Sequence, residues 1–372
     1  MFTPVYSPVT HGPAHTAQVL SAIGIGESLE IRIVAEQYGE EFPAQGYAVR
    51  ISIPRPFHAL GKWFRMITYQ RRAKEIFASY PFDHLVFNDA ILGLMAVYYW
   101  RRTRVRVWGF INDSACLDLR HHEDRSRSFY IVNWIHRLAE RKVARGAWGI
   151  FTCSHYLRTR IQEDYGVSGN RIHCLYPGLD LAYWTFRERG YSLECRKEEI
   201  LFLKSDYKNG GLEILLRALS RISSPSLSLH VAGIPRGQER AVRTLIARFP
   251  GVRVFYHGQI AQGMVRDLMY RCGTLCIPSC REGFGIAQIE GLATGIPVVT
   301  TSAGGIPEAT GQGAAAWFAT PGDEVSLVHA LTTCWKNRKA RRQKVLIGRR
   351  LVERRFTAGQ MQREFLRCLR IS

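Results

Sequence analysis

The sequence predicts an α/β protein made of two doubly wound parallel-sheet domains, each Rossmann-like. Three observations carry this. Strand-like apolar runs alternate with helical spacings through residues 49–165, and the alternation resumes at Glu199. A glycine-rich turn containing Gly283 and Gly285 joins one such strand directly to a helix. A length of 372 residues suits two domains of ordinary size.

In the first series, residues 49–53 read as a strand and 59–80 as a helix. Residues 84–87 form the next strand, 91–101 a helix and 105–111 a strand. A helix over 129–144, a strand over 149–152 and a helix over 156–165 follow. Residues 171–180 close the first domain, and the irregular, charged twenty residues after them are an interdomain linker. The second series has strands over 200–203, 227–232 and 252–256, with helices over 212–221, 238–248 and 262–271. The expected division is 1–180, 181–356 and a terminal helical segment 357–372.

The most informative stretch follows. Residues 275–278 read as a short buried strand, 286–294 as a helix and 296–300 as the next strand. A helix start behind a glycine turn presents free N–H groups, a seat for a diphosphate. Glu282 stands in the loop before the helix, and Glu290 lies about one turn inside it. One carboxylate can meet the sugar end of a ligand while the other accepts hydrogen bonds from a ribose diol. Glu290 lies between Ile289 and Leu292, where a merely solvated acid is rare.

An acid, a glycine turn, a second acid eight residues on, a small-residue helix and Gly295-Ile-Pro-Val-Val resemble the hallmark of the retaining GT-B glycosyltransferases of family 4. Ala303-Gly304-Gly305-Ile306-Pro307-Glu308 also matches, and the resemblance extends over nearly the whole chain. It implies a GT-B fold, in which two Rossmann-like domains face a central cleft and the last helix, here 358–370, returns to the first domain. It further implies sugar transfer from a UDP- or GDP-sugar to an acceptor hydroxyl with retention, in polysaccharide or glycolipid biosynthesis.

The same resemblance assigns roles. Glu282 and Lys204 are the candidate catalytic residues. Glu290, Lys208, Gly12, Gly258, Gln259, Gly283, Phe284, Gly285 and Ile286 are the candidate donor-binding residues, and Asn112 and Asp113 contact acceptor or sugar. The chain departs from the family in places. Lys204 replaces the family's Arg, and a Lys does not reproduce its fork. Gly210 stands where the family has its Lys, with Lys208 two residues earlier. Asn112-Asp113 replaces His-Asp, and His11-Gly12-Pro13 carries one glycine rather than two.

No Asp-x-Asp, P-loop or Gly-x-Ser-x-Gly motif occurs, and no metal or other cofactor is expected. His121-His122-Glu123-Asp124 are adjacent, so they cannot all point inward at one ion. Nine cysteines without a Cys-x-x-Cys pair suit a reducing compartment, and Cys272, Cys276 and Cys280 are expected to pack or to be free thiols. No signal peptide is visible, so a cytoplasmic location is expected.

A net charge of +20 points to an anionic partner. No nucleic-acid motif accompanies it, so nucleic acid is not the expected partner. Instead, the basic segment 336–355 and Lys62, Arg65, Arg71, Arg72 and Lys74 mark a possible anionic membrane surface. Leu60, Trp63, Phe64 and Ile67 have amphipathic spacing that fits either a core-facing or a lipid-facing stripe. Two other readings stay open: an epimerase or sugar phosphorylase on the same fold, or a non-catalytic basic binding protein on that scaffold.

Overall fold

The computed structural model describes residues 1–3, 12–22, 34–36, 47–49, 61–112, 127–187 and 198–371. The chain forms two compact units, Met1–Tyr176 with Met361–Ser372, and Pro177–Gln360. Their limits fall a few residues from the breaks expected at 180 and 356. Leu179 N–H donates to Phe356 O (2.8 Å) and Ala358 N–H to Leu179 O (2.9 Å), which ties residues 177–180 to the second unit.

The first unit contains a seven-stranded sheet in the order β3-β2-β1-β4-β5-β6-β7. Its strands are β1 (Phe2–Thr3), β2 (Val34–Glu36), β3 (Tyr47–Val49), β4 (His84–Phe87), β5 (Arg106–Phe110), β6 (Gly149–Thr152) and β7 (Ile172–Cys174). All neighbours are parallel. Both faces are covered, so strand residues are apolar on both sides yet alternate in destination. Leu85, Phe87, Val107 and Ile150 enter one core cluster, while Val86, Trp108, Phe110 and Phe151 enter the other.

Helices α2 (Gly61–Ser79), α3 (Leu94–Trp100), α4 (Arg127–Gly146) and α5 (His155–Tyr165) supply the first cluster through Tyr69, Trp100, Val143 and Tyr165. The other face takes Leu20 of α1 (Gly12–Ser21). It also takes Phe365 and Leu369 of the terminal helix Ala358–Ile371, so this helix does return to the first unit. Gln362 Nε2 donates to Val19 O at 2.7 Å there.

The core-facing stripe of α2 differs from the spacing singled out in the sequence. Met66, Tyr69, Ala73 and Ile76 are buried, whereas Ile67 is 55 % exposed and Trp63 and Phe64 are half-buried. Leu60 lies outside the described residues. Two apolar registers overlap in this helix, and the sheet selects the second.

The second unit has a six-stranded parallel sheet, order β10-β9-β8-β11-β12-β13. Its strands are β8 (Glu199–Leu203), β9 (Ser228–Ala232), β10 (Arg253–Gly258), β11 (Thr274–Ile277), β12 (Val298–Thr301) and β13 (Ala316–Ala319). Helices α6 (Leu212–Ser220), α7 (Glu239–Ala247), α8 (Gln262–Arg271), α9 (Ile286–Thr294) and α10 (Ile306–Ala309) connect them. Then come α11 (Glu324–Lys336) and α12 (Arg338–Arg355), and the terminal helix Ala358–Ile371 is α13.

The basic residues of α12 are partly committed to the fold. Arg341 is buried and donates to Cys334 O (3.1 Å) and Trp335 O (3.0 Å), carbonyls in the last turn of α11, where a cation also meets the negative helix end. Lys344 donates to Gly313 O and Arg349 to Ala293 O and Trp184 O. Three of the cations of 336–355 thus close carbonyls within the second unit.

Candidate active site

In a parallel sheet, the loops at the strand C-termini diverge where the strand order reverses, leaving room for a ligand. In the second unit this reversal lies between β8 and its neighbour β11. The chain leaves β8 at Lys204 and leaves β11 through Pro278 to Glu282, so two segments distant in sequence share one edge. Lys204 Nζ forms a short ion pair with Glu282 Oε2. The two side chains are 22 % and 14 % exposed, which shields the pair from most solvent while leaving it reachable.

Backbone approach fixes both partners. A Cβ on Gly210 would stand 2.8 Å from Lys204 Cγ and from Phe202 Cζ. A glycine where the family carries a Lys therefore admits the aliphatic stem of Lys204. On the other side, Gly304 has φ +59° and a Cβ there would lie 1.9 Å from Glu282 O. Gly305 N–H donates to that same carbonyl at 3.1 Å. The Ala303-Gly304-Gly305 run thus holds the Glu282 backbone in place from behind.

Behind Glu282, Gly285 adopts φ +110° and opens α9 without a side-chain cap. The first N–H groups of a helix have no intrahelical acceptor, and neither Gly285 nor Ile286 donates to another backbone carbonyl among the described residues. Phe284 is buried and packs edge-on to Phe356, with ring centres 5.2 Å apart. Gln288 is anchored to Thr300 Oγ1 at 3.3 Å.

Glu290 is 9 % exposed on this helix, between the buried Ile289 and Leu292. Burial pushes its carboxyl up to about 8. Its charge also helps raise the Tyr183 phenol, after burial as the main cause and against the opposing effect of Arg266. Tyr183 is therefore a neighbour of Glu290 that sequence reading did not single out. The Arg266 guanidinium lies 4.5 Å from the centre of its ring.

Other predicted residues fall in less convergent places. Lys208 is exposed, and among the described residues only its backbone is engaged, with its N–H donating to Asp206 Oδ1 at 3.1 Å. Gly258 ends β10 with φ +64°, and its carbonyl accepts from Gly233 N–H at 2.7 Å. The adjoining Gln259 is exposed. Beside this edge His230 and His257 stack with rings 5.2 Å apart and Nδ1···Nε2 at 3.0 Å. Burial, and then His257, lower His230 to about 4, so the pair is neutral near pH 7. The pair depends on strand register and has no local sequence signal.

In the first unit, Gly12 begins α1, and Asn112 follows β5, where its carbonyl accepts from Cys153 Sγ at 3.4 Å. Asp113, His11 and the run His121 to Asp124 lie outside the described residues. Cys272 and Cys276 are buried, and burial raises the Cys276 thiol, whereas Cys280 is exposed. These three form no metal-ligand cluster among the described residues.

Comparison with known proteins agrees with this architecture. Residues 188–349 match the family described as Glycosyl transferases group 1, and residues 25–183 match Glycosyltransferase Family 4. An MMP alpha-(1->4)-mannosyltransferase of Mycolicibacterium hassiacum is 26% identical over 255 residues, 67% of this chain and 54% of that protein. A D-inositol 3-phosphate glycosyltransferase of Xylanimonas cellulosilytica is 31% identical over 158 residues, 38% of this chain and 37% of that protein. These matches span about half or less of the curated relatives' own length. The structure of Anabaena Alr3699/HepE in complex with UDP-glucose superposes with a TM-score of 0.77, at 17% identity, covering 100% of this chain and 98% of that one. With both units matched and a parallel sheet in each, the chain belongs to the GT-B glycosyltransferases of family 4.

Proposed function

We propose that this chain is a glycosyltransferase that moves a sugar from a UDP- or GDP-sugar to an acceptor hydroxyl with retention of configuration. The observation that carries the reading is the Lys204–Glu282 pair beside the uncapped start of α9, with Glu290 buried one turn further on. A departing nucleoside diphosphate develops negative charge, and Lys204 with the N–H groups of Gly285 and Ile286 supplies fixed positive potential for it. Glu282 orients Lys204 and accepts hydrogen bonds from the donor sugar's hydroxyls. Glu290 accepts from the ribose. The glycosidic C–O bond to the diphosphate breaks as the acceptor oxygen attacks the same face, and the acceptor proton passes to the departing phosphate oxygen.

A neighbouring fold in complex with UDP-glucose supports a nucleotide-sugar donor, and a mannosyltransferase relative supports hexosyl transfer. The proposal assigns charge neutralisation to lysine and amide groups rather than to a metal ion. Turnover of a UDP- or GDP-hexose panel with and without EDTA, with the product's anomeric configuration read by NMR, tests it. A glycoside of retained configuration, formed undiminished in EDTA, is expected. Free epimerised sugar or sugar phosphate would replace the reading with the epimerase or phosphorylase one, and an inverted product would remove retention.

We further propose a cytoplasmic enzyme that meets its acceptor, a glycan or lipid-linked hydroxyl, at an anionic membrane. No helix among the described residues is long and apolar enough to cross a bilayer. The support is α4, where Ile131, Trp134, Ile135 and Leu138 follow i, i+3, i+4, i+7 and are 59 %, 56 %, 38 % and 37 % exposed. Arg141 and Lys142 are exposed beside them, whereas the helix's acid, Glu140, is buried against Tyr165 Oη.

A further inference from the structure

The first unit contains a second concave site, at the end of its sheet opposite Asn112. A cavity of about 1090 Å³ opens at the N-terminal ends of β4, β5, β6 and β7. Arg101, Arg104, Arg106, Arg171 and Arg370 line it, and Asp83 is the one acid among the described residues that do so. Such an excess of like charge around one hollow is unfavourable unless an anion fills it.

Two of these arginines are held in place rather than free in solvent. Arg171 donates to Arg145 O (3.1 Å), Trp148 O (3.5 Å) and, through a short bond, Ala147 O, so the end of α4 and the turn after it fix its position. The Arg106 guanidinium lies 4.7 Å from the centre of the Trp148 ring, and that indole is 51 % exposed at the mouth. Arg101, Arg104 and Arg106 make no ion pair among the described residues.

Neutral donors complete the lining. His84 Nδ1 accepts from Trp108 Nε1 at 3.0 Å, which leaves the imidazole proton on Nε2. Burial and Arg106 hold that ring below the usual histidine range, so near pH 7 it offers one N–H. Trp100 also lines the cavity, is 3 % exposed, and its Nε1 has no hydrogen-bond partner among the described residues. A buried N–H without an acceptor is uncommon.

We infer that this cavity is a binding site for a multiply charged phosphate oxyanion, a phosphomonoester or diphosphate, separate from the nucleotide-sugar site of the second unit. Guanidinium forks and single N–H donors match several phosphate oxygens at once, and one carboxylate is too little to neutralise three unpaired arginines. The exposed face of Trp148 offers a surface for the part of the ligand that carries the phosphate. The phosphate arrives either on a soluble metabolite or as a lipid headgroup.

The test uses the full chain and inorganic pyrophosphate, followed by calorimetry and thermal melting at matched ionic strength, with saturating UDP present throughout. Saturable binding and a rise in melting temperature are expected. Arg104→Glu, at an exposed position, and Arg106→Ala should each weaken the affinity by about tenfold or more. Two vesicle arms separate the sources. Capture by phosphatidic acid over phosphatidylcholine vesicles, abolished by Arg104→Glu and kept in Trp134→Ala, assigns a headgroup. Pyrophosphate binding without such capture assigns a soluble ligand. The inference is overturned if sodium chloride reproduces the melting shift, if UDP abolishes the binding, or if Arg104→Glu leaves it unchanged.

Discussion

Glu290 couples nucleotide binding to pH in a way that can be worked out from its burial. Its carboxyl is pushed up to about 8 by loss of solvent. Ribose hydroxyls donate to a carboxylate, so the ionised form is the one that binds both. Below pH 8 the free protein must first release a proton, at about 1.36 kcal/mol per pH unit. At pH 6.5 only about 3 % of the group is ionised, which weakens UDP binding roughly thirtyfold, or by about 2 kcal/mol, relative to pH 8.5 and above. The sign is definite: affinity rises with pH and levels off above 8. Isothermal titration of UDP from pH 6.5 to 8.5 measures the slope, and the lower limit keeps clear of the phosphate's own titration near 6. Proton release seen in buffers of different ionisation heat gives an independent reading. Glu290→Gln should bind roughly tenfold or more weakly at pH 8.5 and lose the slope. A flat wild-type profile, or the same slope in Glu290→Gln, refutes ribose recognition by an ionised Glu290.

The same raised carboxyl makes a stability prediction of opposite sign. Between its unfolded value near 4.5 and about 8 the folded state holds a proton that the unfolded state lacks, so this group's contribution is full below 4.5 and is lost as pH rises to 8. Glu290→Gln should therefore melt higher than wild type at pH 8 and like wild type at pH 4.5, and a lower melting temperature at pH 8 would count against the burial argument. Lys204→Ala and Glu282→Ala should each lower kcat by about two to three orders of magnitude, with the double variant no worse than about the weaker single, as for groups acting as one unit. Additive losses would dissolve the pair into independent roles. Gly304→Ala must move the Glu282 backbone, since its new Cβ would lie 1.9 Å from that carbonyl. Its kcat should fall with that of Glu282→Ala while UDP affinity, measured by calorimetry, changes less. Trp134→Ala should halve or better the co-sedimentation with anionic vesicles at low salt, and binding to neutral vesicles should be absent in both proteins.

What could be read along the chain and what could not are separated by one physical distinction. Where an element is long, buried and patterned by its own residues, its place was legible: the helices Gln262–Arg271 and Ile286–Thr294 and the strand Gly149–Thr152 lie where spacing puts them. Strands of two or three residues, such as Phe2–Thr3 and Val34–Glu36, carry too little pattern to stand out and exist through their parallel neighbours. The helix Glu324–Lys336 was missed although Asp323 signals it, accepting from Val325 N–H and Ser326 N–H as an N-cap. In α2 two stripes compete, because Trp63, Phe64 and Ile67 are spaced as well as the one that packs, and only the sheet decides between them.

The site divides along the same line. Glu282, the Gly285 turn and Glu290 lie within one strand–loop–helix passage, so local spacing placed them on their elements. Their chemistry depends on what that passage meets. Lys204 reaches Glu282 because β8 and β11 are neighbours in a sheet whose order reverses between them. Gly210 appeared as a lost lysine, yet it is the space into which the Lys204 stem fits. Substitution at a recognised position can thus preserve function when the missing side chain is what lets a neighbour take over the charge. That argument makes Gly210→Lys informative: restoring the family's residue should displace Lys204 from Glu282 and lower kcat toward that of Lys204→Ala. Full activity in Gly210→Lys would mean that the incoming lysine replaces the pair, and that position 210 rather than 204 is where this fold prefers its cation.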